Sequence, residues 1–467
     1  MRLFDWRSLV VSSMMIGALA VKAETRPQYG GVLHVALRAA PTSLDPADAT
    51  QSDSFARRSL TLLMFDTLVT IDQNQLQPGL ATSWQTSQGN QQGSQRWQVR
   101  IRHGVRFHDG TPLSAEIAAA SLRAANPSWN VSTDADSVVI ERDRPDPELP
   151  AELALPRNAI VKRNPDSTPS GTGPFHIVDW QAGKKLVLAA DENSWRGRPY
   201  LDAIEIEMGR SYRDQMTALE LGKADLVEVA PEQTRRVSLE GRRLASSDSI
   251  ELLALLFTRD AASADEKLLR QALALSVERG SIRSVLLQGA GQPAASILPN
   301  WMSGYGFVFP TDTDLPRARN ARAQVHTIPT WTVRYDGTDT LARLLAERIA
   351  LNARDAGLSL QPTAAASADS WLVRIPLESP DPWLALANAA AVAGVPAGML
   401  AGMPAGKDSG SVEDLYAAEL ALVTTQRIIP LFHLPVSYAA SATLKDWALR
   451  ADGSWTLADA WLGSGKP

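Results

Sequence analysis

The sequence predicts an α/β protein of two or three domains, on three observations. Short β-rich runs alternate with amphipathic helical patterns along the chain, the pattern of sheets covered by helices. The chain has 467 residues, more than a single ordinary core accommodates. The alternation also restarts after a polar stretch at residues 246–249, as if a second α/β unit began there.

Residues 1–23 read as a secretory leader. Arg2 and Arg7 precede an apolar run at residues 9–21, and Val21-Lys22-Ala23 sets small residues where a signal peptidase acts, so cleavage is expected after Ala23. The run contains Ser12, Ser13 and Gly17 and is short for a bilayer span. The chain has no cysteine, which excludes a lipid attached at the cleavage site, a disulfide framework, a thiolate metal site and a cysteine nucleophile. Loss of Arg2, Arg7, Lys22 and Asp5 with the leader takes the formal charge from −5 to −7. No Lys/Arg cluster or basic face offers the footprint that nucleic acid requires.

In order, "GGVLHVALRAA" (30–40) predicts a strand, residues 54–69 a helix, "RWQVRIRHGVRF" (96–107) one or two strands, and residues 114–125 a helix. "GPFHIVDWQAGKKLVLAAD" predicts a hairpin turning at Ala182-Gly183. "MTALELGKADLVEV" predicts a helix stopped by Gly222 and followed directly by a strand of a parallel or mixed sheet. In the second unit, "IELLALLF" predicts a strand and residues 266–288 one long helical region. "WTVRYDG" then predicts a strand, and residues 340–356 a helix with Leu341, Leu344, Leu345 and Ile349 on one face and Gly357 as its stop. "SWLVRIPL" predicts the next strand, and the Gln/Gly/Ser stretch at 85–95 and the Ala/Gly/Pro run at 389–406 predict loops.

Catalytic constellations are scarce. His108-Asp109 in "FHDGTPLSAE" admits three readings: a general base with its carboxylate, two metal ligands, or a scaffold turn. The residues that follow favour scaffold. Asp109-Gly110-Thr111-Pro112 is a turn, Ser114 an N-cap, and Glu116 a first-turn acid. The six histidines (34, 103, 108, 176, 326 and 433) form no His-Glu-x-x-His motif, and no Ser-x-x-Lys, Gly-x-Ser-x-Gly or Gly-x-x-x-x-Gly-Lys occurs. Neither enzyme activity nor a cofactor is expected.

Five ordered stretches then resemble one family, the solute-binding proteins of family 5 that serve peptide/nickel ABC importers. They are "GGVLHVALRAAPTSLDP" (30–46), "LTLLMFDTLVTIDQNQLQPGLATSW" (60–84), "WQVRIRHGVRFHDGTPLSAE" (97–116), "GTGPFHIVDWQAGKKLVLAADENSWRGRPYLDAIEIE" (171–207) and "ALELGKADL" (218–226). "LLRQALALSVERGSI" (268–282), "ARLLAERIALNARDAGL" (342–358) and "RIIPLFH" (427–433) are weaker matches.

The resemblance implies a two-lobed periplasmic-binding-protein fold, type II or cluster C-like, with mixed sheets, a hinge and a trimmed accessory subdomain. It implies a first lobe at 24–245 with the accessory part at about 65–170, a second lobe at 246–435 and a return to the first lobe at 436–467. The implied function is that of a periplasmic receptor, a monomer, that closes over a small peptide or related solute and delivers it to an ABC permease and ATPase complex. The same fold hosts receptors for nickel chelate, haem or oligosaccharide, which stay open as alternatives. The segment at 307–330 departs from the family's pattern by lacking its helical signature.

In peptide-binding members an acidic residue before an Asp-Pro grips the peptide's amino group. Matching "RIPLESPDPW" (374–383) by Asp381-Pro382 places Glu378 there, in a ligand role or as a solvated loop residue. The family's arginine for the peptide carboxylate falls nearest Arg334, two positions out of register, with Arg374 as the alternative. Among the tryptophans, Trp383 is the expected cleft wall.

Overall fold

The computed structural model describes residues 26–463 except 49, 51–53, 73–74, 90–92, 144, 165–167, 378, 380 and 396–410. The expected leader and Glu378 therefore lie outside the described residues.

One mixed sheet of eleven strands organises the molecule. Its order runs Phe175–Gln181, Lys185–Ala190, Ala203–Glu207, Val32–Ala36, Leu226–Glu228, Ile428–Ala440, Arg243–Phe257, Ser370–Pro376, Thr330–Arg334 and Ser359–Thr363, with Gln292–Pro293 paired to Ile428–Ala440 off this path. Val32–Ala36 is parallel to both of its neighbours, and Thr330–Arg334 likewise. The central pair, Arg243–Phe257 with Ile428–Ala440, is antiparallel and runs from one apolar core to another. One core gathers Leu33, Val35, Phe65, Leu188, Ile204 and Trp455. The other gathers Leu253, Leu273, Trp331, Val333, Leu345 and Ile349. Nearly every residue of Ile428–Ala440 is buried, as expected of a strand covered on both faces.

A separate antiparallel sheet, ordered Ala81–Gln88, Gln95–Ile101, Ser137–Arg142, Asn130–Asp134, packs with helix Ala115–Ala125 around Val99, Ile101, Leu122 and Ile140 to form the accessory subdomain. The C-terminal segment returns to the first core through Leu444, Trp455 and Leu457. Among the described residues no helix is long and apolar enough to cross a membrane.

Several expectations need correction. The polar stretch at 246–249 interrupts nothing: it lies within the strand Arg243–Phe257, where register shifts between Ser246 and Glu251 absorb the change of pattern. The helical region expected at 266–288 is two helices, Ala264–Ser276 and Arg279–Val285, parted where Val277 turns to extended backbone. Leu344 does not join the buried face of helix Thr340–Asp355; Leu341, Leu345 and Ile349 do. The segment at 307–330 contains a helix, Leu315–Ala323, although its sequence is Arg-rich rather than amphipathic. Asp314 caps it, and Ala318 and Ala321, three residues apart, bury its narrow inner face. Two segments expected as loops are partly regular, since Ala81–Gln88 and Pro382–Val392 extend into them.

Candidate ligand-binding cleft

A cavity of about 850 Å³ lies where the strands of the two lobes deliver their ends. Val32–Ala36 leads to Arg38, Leu226–Glu228 ends on Glu228, and Thr330–Arg334 leads to Asp336 and Asp339. These are carboxyl ends of parallel strands, where open α/β sheets place ligands. Arg38, Tyr212, Glu228, Glu251, Asp336, Arg374 and Tyr438 are among the lining residues.

Arg38 reaches across from the first lobe. Its guanidinium pairs with Asp336 and, at 3.2 Å, with Asp339. Asp339 also receives Arg374 at 3.7 Å and, as N-cap of helix Thr340–Asp355, accepts the backbone N–H of Ala342 at 3.1 Å. Arg374 pairs in turn with Glu251 at 3.3 Å. Burial works to lower the Arg374 pKa, but Glu251, Tyr212, Asp339 and Glu232 outweigh it and raise it. On the first-lobe side, Gln215 holds Glu228 from both ends: it accepts the Glu228 N–H at 2.8 Å and donates to its carboxylate at 3.1 Å. The same carboxylate accepts the backbone N–H of Arg38. Burial raises the pKa of Glu228 and of Glu232.

Of the residues proposed from sequence, Arg374 is in this wall. Arg334 is not. It stacks over the Trp371 ring at 5.2 Å, because the alternation of Thr330–Arg334 sends its side chain elsewhere than the loop that follows. Trp383 does not wall the cleft either. It is 3% exposed, packs with Ile375, Leu377 and Leu386, and borders a second cavity of about 650 Å³ shared with Trp129, Arg142 and Arg157. It stands at N2 of a helix capped by Asp381, on the side that faces the core. Sequence reading missed Arg38, Asp336, Asp339, Glu228 and Glu251. The available signal was positional: a charged residue just beyond a β run, or an Asp capping the next helix.

His108 is scaffold. Its Nε2 donates to the Gly173 carbonyl at 2.9 Å, while Nδ1 accepts the Gly171 N–H at 3.4 Å. Asp109 receives Lys162 and the Thr111 N–H. The glycines of "GTGPF" are required by close approach, since a Cβ on Gly171 would sit 1.9 Å from the Met64 carbonyl oxygen. His433 is buried and hydrogen-bonded to the Ile297 carbonyl at 2.9 Å; burial pushes its pKa down to about 4. Among the described residues no group of three or more His, Asp or Glu converges as a metal site.

The model for bacterial extracellular solute-binding proteins, family 5 Middle, matches residues 75–375, more than half of the chain. The chain belongs to solute-binding protein family 5. Within the family it is 26% identical over 242 residues to the nickel-binding protein NikA of Staphylococcus aureus, covering 49% of this chain and 48% of NikA, so it spans about half the length of that relative. It is 23% identical over 328 residues to the oligopeptide-binding protein AppA of Bacillus subtilis, covering 64% of this chain and 58% of AppA. Among solved family structures, the periplasmic binding protein DppA of Helicobacter pylori with peptide STSA superposes with a TM-score of 0.80 at 17% identity, covering 94% of this chain and 99% of DppA. AgaA of A. tumefacien R10 with agropinic acid superposes with a TM-score of 0.77 at 18% identity, covering 93% and 99%. At these identities the likeness carries the fold, that of a two-lobed periplasmic binding protein.

Proposed function

We propose that this family 5 protein is the periplasmic receptor of an ABC importer, freed of its leader after export, which captures short peptides in the interlobe cleft and passes them to a membrane permease. It acts by binding and carries out no chemistry. The observation that carries this reading is the cleft, whose volume of about 850 Å³ lies within the range of small-ligand sites and whose wall offers both signs of charge. A peptide zwitterion needs both: Arg374 suits the carboxylate through its planar fork, and Asp336 suits the ammonium group. Glu378 remains a proposed amine ligand on its motif alone. The proposed lobes divide at 24–245, 246–435 and 436–467, with Arg243–Phe257 and Ile428–Ala440 as the hinge strands.

Native mass spectrometry of protein purified from the periplasm without refolding tests the reading. The expected result is an adduct with the mass of a short peptide; a nickel chelate, haem or saccharide adduct in its place overturns it. Arg374→Ala is expected to weaken binding of the identified peptide by about a hundredfold, because a desolvated carboxylate loses its partner.

A further inference from the structure

We propose that Tyr438 is a specificity-determining residue of the cleft: its hydroxyl donates to an oxygen acceptor of the solute and, within the peptide reading on which this rests, to a backbone carbonyl. Tyr438 lies in strand Ile428–Ala440 and lines the cavity. It is 0% exposed, and its hydroxyl has no hydrogen-bond partner among the described residues. The side chains that act on it electrostatically, Glu228, Tyr212 and Glu251, are themselves lining residues, which places the hydroxyl on the cavity side of its ring.

One proton is left over at this point. Trp455 meets the Tyr438 ring edge-on with centroids 6.1 Å apart, and its indole N–H is also buried without a partner. An indole N–H can only donate, whereas a phenol both donates and accepts. When the indole turns to the phenol oxygen, the phenol O–H still lacks an acceptor. The neighbouring carboxylates are engaged elsewhere: Glu228 receives Gln215 at 3.1 Å and the Arg38 backbone N–H, and Glu251 receives Arg374 at 3.3 Å. Burial first, and then the Glu228 charge, raise the phenol pKa well above its ordinary value, so the hydroxyl keeps its proton and stays a donor. The missing partner is therefore an acceptor, which an ammonium group cannot be. In the peptide reading the terminal carboxylate goes to Arg374, and the acceptor left for Tyr438 is a backbone carbonyl. A buried hydroxyl without a partner is a cost to the ligand-free protein that binding recovers.

Tyr438→Phe keeps the ring and removes only the hydroxyl. The ligand-free variant is expected to melt no lower than the unmodified protein, because no hydrogen bond is lost, while calorimetry shows Ala-Ala-Ala bound about tenfold more weakly. A lower melting temperature with unchanged affinity marks a purely structural tyrosine and overturns the assignment. Ala-Ala-Ala with each carbonyl replaced in turn by a thiocarbonyl, a poor acceptor, locates the contact. One thiopeptide is expected to lose about fivefold against the unmodified protein and nothing against the variant. Equal losses against both proteins for every thiopeptide overturn the donor role and leave the peptide reading standing. If no peptide binds, the peptide reading falls, and native mass spectra of the solute retained from the periplasm decide on Tyr438. A smaller bound fraction in Tyr438→Phe then upholds the donor role; equal fractions, or no adduct in either protein, overturn it.

Discussion

Arg38 and Asp339 meet across the cleft, Nη1 to Oδ2 at 3.2 Å, and with Asp336 they form ion pairs between the segments that follow strands Val32–Ala36 and Thr330–Arg334. The pairs link the two sides of the cleft. Their worth is modest, because the Arg38 side chain is 27% exposed.

Arg38→Ala is therefore expected to shift the ligand-free protein toward a more open form. Asp339 keeps Arg374 and its capping bond, so the thermal stability falls by only about 1 kcal/mol. Small-angle X-ray scattering checks it: the variant's radius of gyration rises above that of the unmodified protein, and an unchanged value contradicts the role assigned to Arg38.

A second long-range contact joins residues more than 200 positions apart. Glu148 shares a hydrogen bond with Asp381, the N-cap of helix Pro382–Val392. Burial first, then that bond and the charges of Asp381 and Asp146, push the Glu148 pKa up to about 8. Because the folded value lies above the ordinary carboxylate value, the protonated form is the one that folding favours. The contribution is complete below about pH 4.5 and is lost as pH rises through about 8. Thermal melts between pH 6 and 9 are expected to show a decline that Glu148→Gln flattens, since the amide donates the bond without acquiring charge. Glu148 is half-buried, so solvent screening limits the difference to about 1 kcal/mol. Parallel curves for the two proteins refute the assignment.

Arg279 is a buried cation held by carbonyls alone. It is 4% exposed and donates to Ala294 at 2.9 Å, Pro430 at 2.8 Å and Ala274 at 3.2 Å, and burial pushes its pKa down to about 10. Arg279→Met leaves those acceptors unpaired and is expected to cost about 3–5 kcal/mol in urea unfolding. Arg279→Lys is expected to rescue less than half of the loss, because one ammonium group cannot span three carbonyls set for a planar fork. A loss below about 1 kcal/mol for Arg279→Met contradicts the staple.

Part of the site was legible in the sequence and part was not, for reasons that differ by residue. Arg374 is offered by the sequence only as the alternative to Arg334, and it is the end of strand Ser370–Pro376 that sets Arg374 rather than Arg334 in the wall. Trp383 belongs to the same stretch as Arg374, yet at N2 of the helix capped by Asp381 it turns into the core; a motif marks a segment and says nothing of which way a side chain leaves it. Helix Leu315–Ala323 escaped because two alanines make a buried stripe too narrow for hydrophobic periodicity to register.

What depends on a few adjacent residues is readable from the chain alone. Ser54 and Ser114 cap their helices, Gly222 and Gly357 end theirs with left-handed backbone, and Ala182-Gly183 turns the hairpin, because each is a matter of local hydrogen bonds and torsions. The cleft has no such local origin. Arg38 and Asp339 stand 301 positions apart, and nothing in either neighbourhood anticipates the other. They meet because two long strands, Arg243–Phe257 and Ile428–Ala440, join the lobes in one sheet and bring together the strand ends that carry the two charges. That adjacency is set by long-range strand order and core packing, which no local pattern encodes.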